Sequence, residues 1–225
     1  RLYVGSMAGY AADSLIQACS SDGTVEAVAL AEMSDVYAGG LLGGAEDITV
    51  QDSWNTGDVS AVAQRDYSSR AGGLVGSVFS QGSMNRCFST GNVFSGDVAG
   101  GLIGSSFSKT VLQDCFQTGH IIGGNWVGGI TGEMHSSSSM ARCYQAGLVE
   151  SIHPYSHSGG LAGAWEECQA SNCYYWNQPG LEGVGYGGKA GTGCTAEVLQ
   201  DPSTFQGFDF ETLWIMEGNK TYLYP

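Results

Sequence analysis

The chain has 225 residues, 36 of them glycine, and carries 22 acidic against 8 basic side chains for a net charge of -14. That balance argues against nucleic acid and anionic membrane surfaces as partners, and no run of 18 apolar residues is present to cross a membrane as a helix. Glycine far above its usual share of about 7 %, without a Gly-x-y period, excludes collagen and directs attention to repeats.

Along the chain a five-residue phrase recurs. It is a degraded Gly-Ser-Met-Ala-Gly at 5–9, Gly-Gly-Leu-x-Gly at 39–43, 72–76, 100–104 and 159–163, and Gly-Gly-Ile-Thr-Gly at 128–132. The last glycines fall at 9, 43, 76, 104, 132 and 163, in steps of 34, 33, 28, 28 and 31. Steps of about 20–50 residues mark stacked repeat architectures. Other columns keep the same phase. Ile16, Val50, Met84, Leu112, Met140 and Ala170 precede a landmark that reads Cys87-Phe88, Cys115-Phe116, Cys143-Tyr144 and Cys173-Tyr174, with Cys19-Ser20 and Ser53-Trp54 in the first two units. Gly23, Gly57, Gly91, Gly119 and Gly147 follow, and two residues later come Val25, Val59, Val93, Ile121 and Val149.

These columns alternate like strands and show no sustained helical period. Glycine suits corners because it tolerates positive φ and close backbone approach. The expectation is an all-β β-solenoid, a parallel β-helix of about six coils with three short strands per coil, over residues 1–173. A single coil cannot bury its apolar face, but a stack forms one continuous core. The residue before each cysteine position, Asp52, Arg86, Asp114, Arg142 and Asn172, alternates in charge up the stack and favours the correct register. Cys19, Cys87, Cys115, Cys143 and Cys173 are expected as inward free thiols, because parallel Cβ directions suit a disulfide poorly. Cys168 and Cys194 stand outside the column and are a candidate disulfide.

From Tyr174 the repeat fails, and residues 174–225 read as a C-terminal cap. Residues 180–193 are glycine-rich and read as a loop. Thr195 is placed to cap a short helix at 196–200 that stops before Pro202. A turn at 217–220 leads to a final strand at 221–224, and Phe208, Phe210, Trp214 and Tyr222 are expected to pack over the open end.

Taken together, Arg86-Cys87-Phe88-Ser89-Thr90-Gly91-Asn92-Val93, the Gly-Leu-x-Gly phrase and the tail residues Thr195-Ala196-Glu197, Gly207-Phe208-Asp209-Phe210, Trp214 and Lys220-Thr221-Tyr222 resemble the GLUG repeat. The resemblance implies a module of a large bacterial cell-surface protein, since such arrays occur in adhesin-like proteins and in zinc metallopeptidases that cleave immunoglobulin A. It implies no catalytic residue. The chain begins with a coil under way, and a piece of a longer, exported protein is expected, with other domains of that protein as partners.

No catalytic constellation stands out. There is neither a His-Glu-x-x-His nor a Gly-x-Ser-x-Gly elbow, no metal-ligand spacing, and no cofactor is expected. His153 and His157 fall in an inserted loop, and the neighbouring Glu166 and Glu167 point to opposite faces of a strand, unlike a sugar-cleaving pair. Unit length varies at one corner, over 26–37, 60–70 and 150–157, where insertions in repeat proteins carry function. Two residues before each Gly-Gly stand Tyr37, Arg70, Val98, Trp126 and His157. Tyr37, Arg70, Trp126, Tyr155 and His157 are therefore the candidate contact residues for a host protein or glycan. The expected function is a non-catalytic extracellular spacer and adhesion surface. The alternative is an accessory, substrate-positioning solenoid of a secreted zinc metallopeptidase whose catalytic domain lies outside this chain.

Overall fold

A computed structural model describes residues 1–30, 35–64, 69–217 and, as backbone, 220–223. The chain is a β-solenoid in which parallel sheets run the length of the stack. Where the sequence suggested three strands per coil, the middle coils hold five short ones, Ser69–Gly72, Val75–Val78, Gly82–Asn85, Phe88–Ser89 and Val93–Ser95 in one example, and the first two coils hold four, with Ala8–Gln17 and Leu42–Gln51 each running as one strand. Two-residue strands such as Phe88–Ser89 are too short to leave an alternation in the sequence. Five coils are complete, and a sixth lacks its last strand. The columns stack residue on residue, as in Tyr37, Arg70, Val98, Trp126 and His157.

The corners are built differently from the expectation. None of the phrase glycines has positive φ. They are required by crowding: a methyl group on Gly39, Gly72, Gly100, Gly128 or Gly159 would lie closer than 3.0 Å to the carbonyl oxygen of the residue three further on. The second glycine of four phrases makes room for a buried polar column, with Gly40 against Asn55, Gly73 against Ser89, Gly101 against Gln117 and Gly129 against Gln145, and Gly160 of the last phrase makes room for the Tyr175 ring. Positive φ is instead adopted by the residue before each cysteine position, at 52° for Ala18, 51° for Asp52, 52° for Arg86, 53° for Asp114, 48° for Arg142 and 52° for Asn172. That conformation costs a non-glycine residue roughly 1–2 kcal/mol. It also aligns the charges of this column into two forked ion pairs. Arg86 Nη2 donates to Asp52 Oδ2 and Arg142 Nη2 to Asp114 Oδ2, each at 2.8 Å.

Two apolar clusters fill the stack. One contains Leu41, Leu74, Leu102, Ile130 and Leu161 with Cys87, Cys115, Cys143 and Cys173, and the other Val36, Ala38, Val59, Val93, Ile121 and Val149. All seven cysteines are free thiols. The candidate Cys168–Cys194 bridge is not formed. The Cys168 thiol points to the carbonyls of Met134 and Glu166, beside the first cluster, while Cys194 belongs to a separate aromatic cluster.

The stack continues past 173. Residues 180–193 are not simply a loop: Glu182–Tyr186 pairs in parallel with His157–Trp165, and Thr192–Cys194 with Tyr174–Trp176. The expected helix is a single 3-10 turn at Val198–Gln200, and a second, Pro202–Thr204, is capped by Asp201. The described tail residues pack along one flank, against Phe116, Tyr144 and Tyr174. Trp214, fully buried, meets the outward rings of Phe116 and Tyr144 at 6.0 and 5.9 Å and Phe208 at 4.7 Å. Trp214–Glu217 pairs antiparallel with Lys220–Leu223. The turn residues 218–219, the Tyr222 side chain and residue 224 lie outside the described residues, as do 31–34 and 65–68 of the length-variable corner.

Candidate functional site

The Gly-Gly-Leu turn folds two successive strands of each coil into an external crease. On one wall stand Tyr3, Tyr37, Arg70, Val98, Trp126 and His157; on the other, in register, stand Tyr10, Gly44, Ser77, Ser105 and Glu133. Large residues lie over small ones. The Tyr3 ring covers Gly44, where a methyl group would come within 2.8 Å of it. Arg70 Nε donates to Ser105 Oγ at 3.1 Å. Ser105 Oγ in turn donates to Glu133 Oε2 at 2.7 Å, and Arg70 Nε lies 3.9 Å from that oxygen. The guanidinium sits between two rings, 5.7 Å from the Tyr37 centroid and 5.5 Å from that of Phe107.

The five predicted contact residues thus meet different fates. Tyr37 and Arg70 are neighbours, but Tyr37 is only 4 % exposed, and burial pushes its hydroxyl pKa up against the opposing pull of Arg70. Arg70 is spent on Ser105, Glu133 and the two rings. Trp126 and His157 stack at 4.7 Å and are half-buried, and both meet the Tyr186 ring, at 5.8 and 5.3 Å. Tyr186 is 51 % exposed. Tyr155 belongs to none of this: it is 93 % exposed on the loop after Val149–Ser151.

A second ring column borders the crease and escaped the sequence reading. Phe79, Phe107 and His135 stack at 6.2 and 6.3 Å, and His135 Nδ1 lies 3.1 Å from Glu166 Oε2. Its signal was available, as the third residue after each phrase: Ala12, Glu46, Phe79, Phe107, His135 and Glu166. Its mixed chemistry hid it. At the floor of the next corner Asp97 is buried, and its carboxylate accepts from Asn125 Nδ2 at 2.9 Å. Burial raises its pKa to about 6, opposed by the Asn125 hydrogen bond and the field of Arg70 and reinforced by Glu133.

Chemically the crease offers ring edges and imidazoles. Most ring faces are taken by the next ring in the column, so edges, with their positive quadrupole rim, meet solvent. Tyr186 is the exception, tilted across the end of its column. Among the described residues no three His, Cys, Asp or Glu side chains converge as a metal site, and no helix is long and apolar enough to cross a membrane.

No protein-family model matches the chain, and no curated protein matches its sequence. Among solved structures it is similar to a crystal structure of a protein from Bacteroides ovatus provisionally described as an immunoglobulin A1 protease. The TM-score is 0.63 and the identity 14 %, over 89 % of this chain and 74 % of that one. At that identity the likeness is one of fold.

Proposed function

We propose that this chain is a non-catalytic module of an exported bacterial surface protein, serving as a rigid spacer that presents a contact surface to a host protein or glycan. The observation that carries the reading is the cluster of Trp126, His157 and Tyr186 at one end of the crease. It is a partly exposed aromatic group on in-register strands, where recognition residues are held at little entropic cost. Aromatic anchors of this kind dominate binding energy at interfaces. The acidic surface adds a preference for neutral or basic partners.

The test is binding of the labelled chain to arrays of glycans and of extracellular host proteins, repeated with Trp126→Ala and Tyr186→Ala. A bound partner should be lost about tenfold or more with either variant, the loss typical of a truncated anchor. Unchanged binding by both variants sinks the assignment, and hydrolysis of a bound polysaccharide or protein by the purified chain sinks its non-catalytic part.

The fold likeness to a protein described as an immunoglobulin A1 protease supports a second reading, an accessory solenoid that positions substrate for a peptidase domain outside this chain. Immunoglobulin A among the bound host proteins, with no anchoring by glycans, would favour it.

A further inference from the structure

The sheet formed by Val25–Ala29, Val59–Ala63, Val93–Ser95, Ile121–Gly123 and Val149–Ser151 stops one coil short of its neighbours. The faces on either side continue, through Tyr174–Trp176 and Glu182–Tyr186. The open edge of Val149–Ser151 therefore lies in a notch in the stack.

The stop has a specific device. In each lower coil the first N–H of this sheet donates to a carbonyl of the next coil: Val25 to Asp58 at 2.8 Å, Val59 to Asn92 at 2.8 Å, Val93 to His120 at 2.9 Å and Ile121 to Leu148 at 2.8 Å. Val149 N–H donates instead to the side chain of Gln178, at 3.1 Å from Oε1, and Gln178 Nε2 donates to the Gly147 carbonyl at 3.3 Å. One side-chain amide thus replaces one peptide group of the absent strand. Leu181 joins Val149 in the same apolar cluster, Pro179 has no N–H to offer, and Gly180 turns the chain away at φ 78°.

Beyond that rung the edge is unoccupied. In a parallel pair alternate residues direct both backbone groups to the same neighbour. Leu148 and Ile152 face the strand below, bonded to Ile121 and Gly123, so Val149 and Ser151 face the notch. Among the described residues nothing bonds the Val149 carbonyl or the Ser151 N–H and carbonyl. A cleft of about 390 Å³ opens at Val149, lined also by Leu148, Glu150, Ser158, Trp176, Pro179 and Leu181 among others, with Ser151 two residues further along the strand. Glu150 is exposed beside it, with His120 Nε2 at 2.8 Å from its carboxylate.

We propose that this edge is a strand-addition site for an extended, basic peptide segment of a partner protein. The peptide runs parallel to Val149–Ser151 as a further strand, sets an apolar side chain against Trp176 and Leu148, and brings a lysine or arginine to Glu150. Backbone pairing supplies affinity and alternate side chains supply selectivity in such additions. The charge preference follows from Glu150 and from the net charge of -14. The site is separate from the crease, and the exposed loop residues Ile152 and Tyr155 follow directly on it.

The test is amide NMR of the whole labelled chain with the blocked peptide Lys-Val-Lys-Val-Lys-Val and its Glu-Val-Glu-Val-Glu-Val counterpart. Three free backbone groups give a weak site, so saturation is expected near a Kd of about 1 mM or below. The lysine peptide should shift the Ser151 amide and slow its exchange about tenfold or more, and the glutamate peptide should not. Glu150→Lys, which leaves the backbone intact, should reverse that preference, and Ser151→Pro, which removes the Ser151 N–H itself, should abolish the peptide-induced shifts of the neighbouring Val149 and Glu150 amides. Equal response to both peptides, response at the first-coil strands in place of Ser151, or pairing of this edge with a second copy of the chain overturns the proposal. The readout is local to Ser151, so it stands or falls independently of the crease.

Discussion

Among the carboxyl groups, Asp97 is the one whose surroundings disfavour its charge. Its carboxyl, raised to about 6 by burial, ionises near 3.9 in an unfolded chain. Between those values the native state holds a proton that the unfolded state has released. Its contribution is therefore fully present below about pH 4 and is lost as pH rises through about 6. Two pKa units correspond to about 3 kcal/mol at most. Asp97→Asn should raise the Tm at pH 7 and leave it nearly unchanged at pH 4. Thermal melts of both proteins across this range check it, and a variant destabilised at pH 7 would show that the Arg70 attraction outweighs burial. Nothing in the local sequence announced this residue. Asp97 follows a glycine in a polar corner, and its burial depends on Asn125 arriving from the next coil.

At the scale of the strands and corners, one glycine column offers a controlled comparison. A methyl group on Gly57, Gly91, Gly119 or Gly147 would strike the carbonyl oxygen of the preceding glycine in the column, whereas at Gly23 nothing lies within 4 Å. Gly119→Ala should therefore destabilise by about 4 kcal/mol or more, since only backbone displacement can relieve the clash. Gly23→Ala should be neutral or stabilising by about 0.4–1 kcal/mol. Chemical denaturation of the two variants checks the contrast, and similar effects at both sites would refute the packing account. The columns that reveal the solenoid were legible because crowding between coils admits few residue types at 57, 91, 119 and 147 or at 59, 93, 121 and 149. The positive-φ corner was not, since Ala18, Asp52, Arg86 and Asn172 share a backbone shape and no side-chain chemistry. Nor was the role of Gln178, which imitates a strand from outside the repeat. The edge column containing Trp126 and His157 was visible, but which of its members are free to bind was not. That depends on the facing wall, where Ser105 and Glu133 engage Arg70 and where Tyr186 comes from a segment read as a loop.

For the molecule as a whole, stacking places Cys87, Cys115, Cys143 and Cys173 in one buried file. Burial raises the thiols of Cys87 and Cys143 and withholds them from reagents. Only Cys19 and Cys168 are partly exposed. A thiol-reactive dye should modify Cys19 rapidly in the native protein, Cys168, whose thiol pKa burial also raises, more slowly, and all seven cysteines after denaturation. Rapid reaction of Cys87, Cys115, Cys143 or Cys173 in the native state would contradict the continuous core. The stack has a further consequence for how such a chain can change in length. An interior coil already carries glycine wherever a neighbour presses on both sides, so a duplication that copies it inserts a unit that fits at once. The first coil, with Ser6 in place of the second glycine of its phrase, is a poorer template, so duplication of an interior coil is the growth its packing permits.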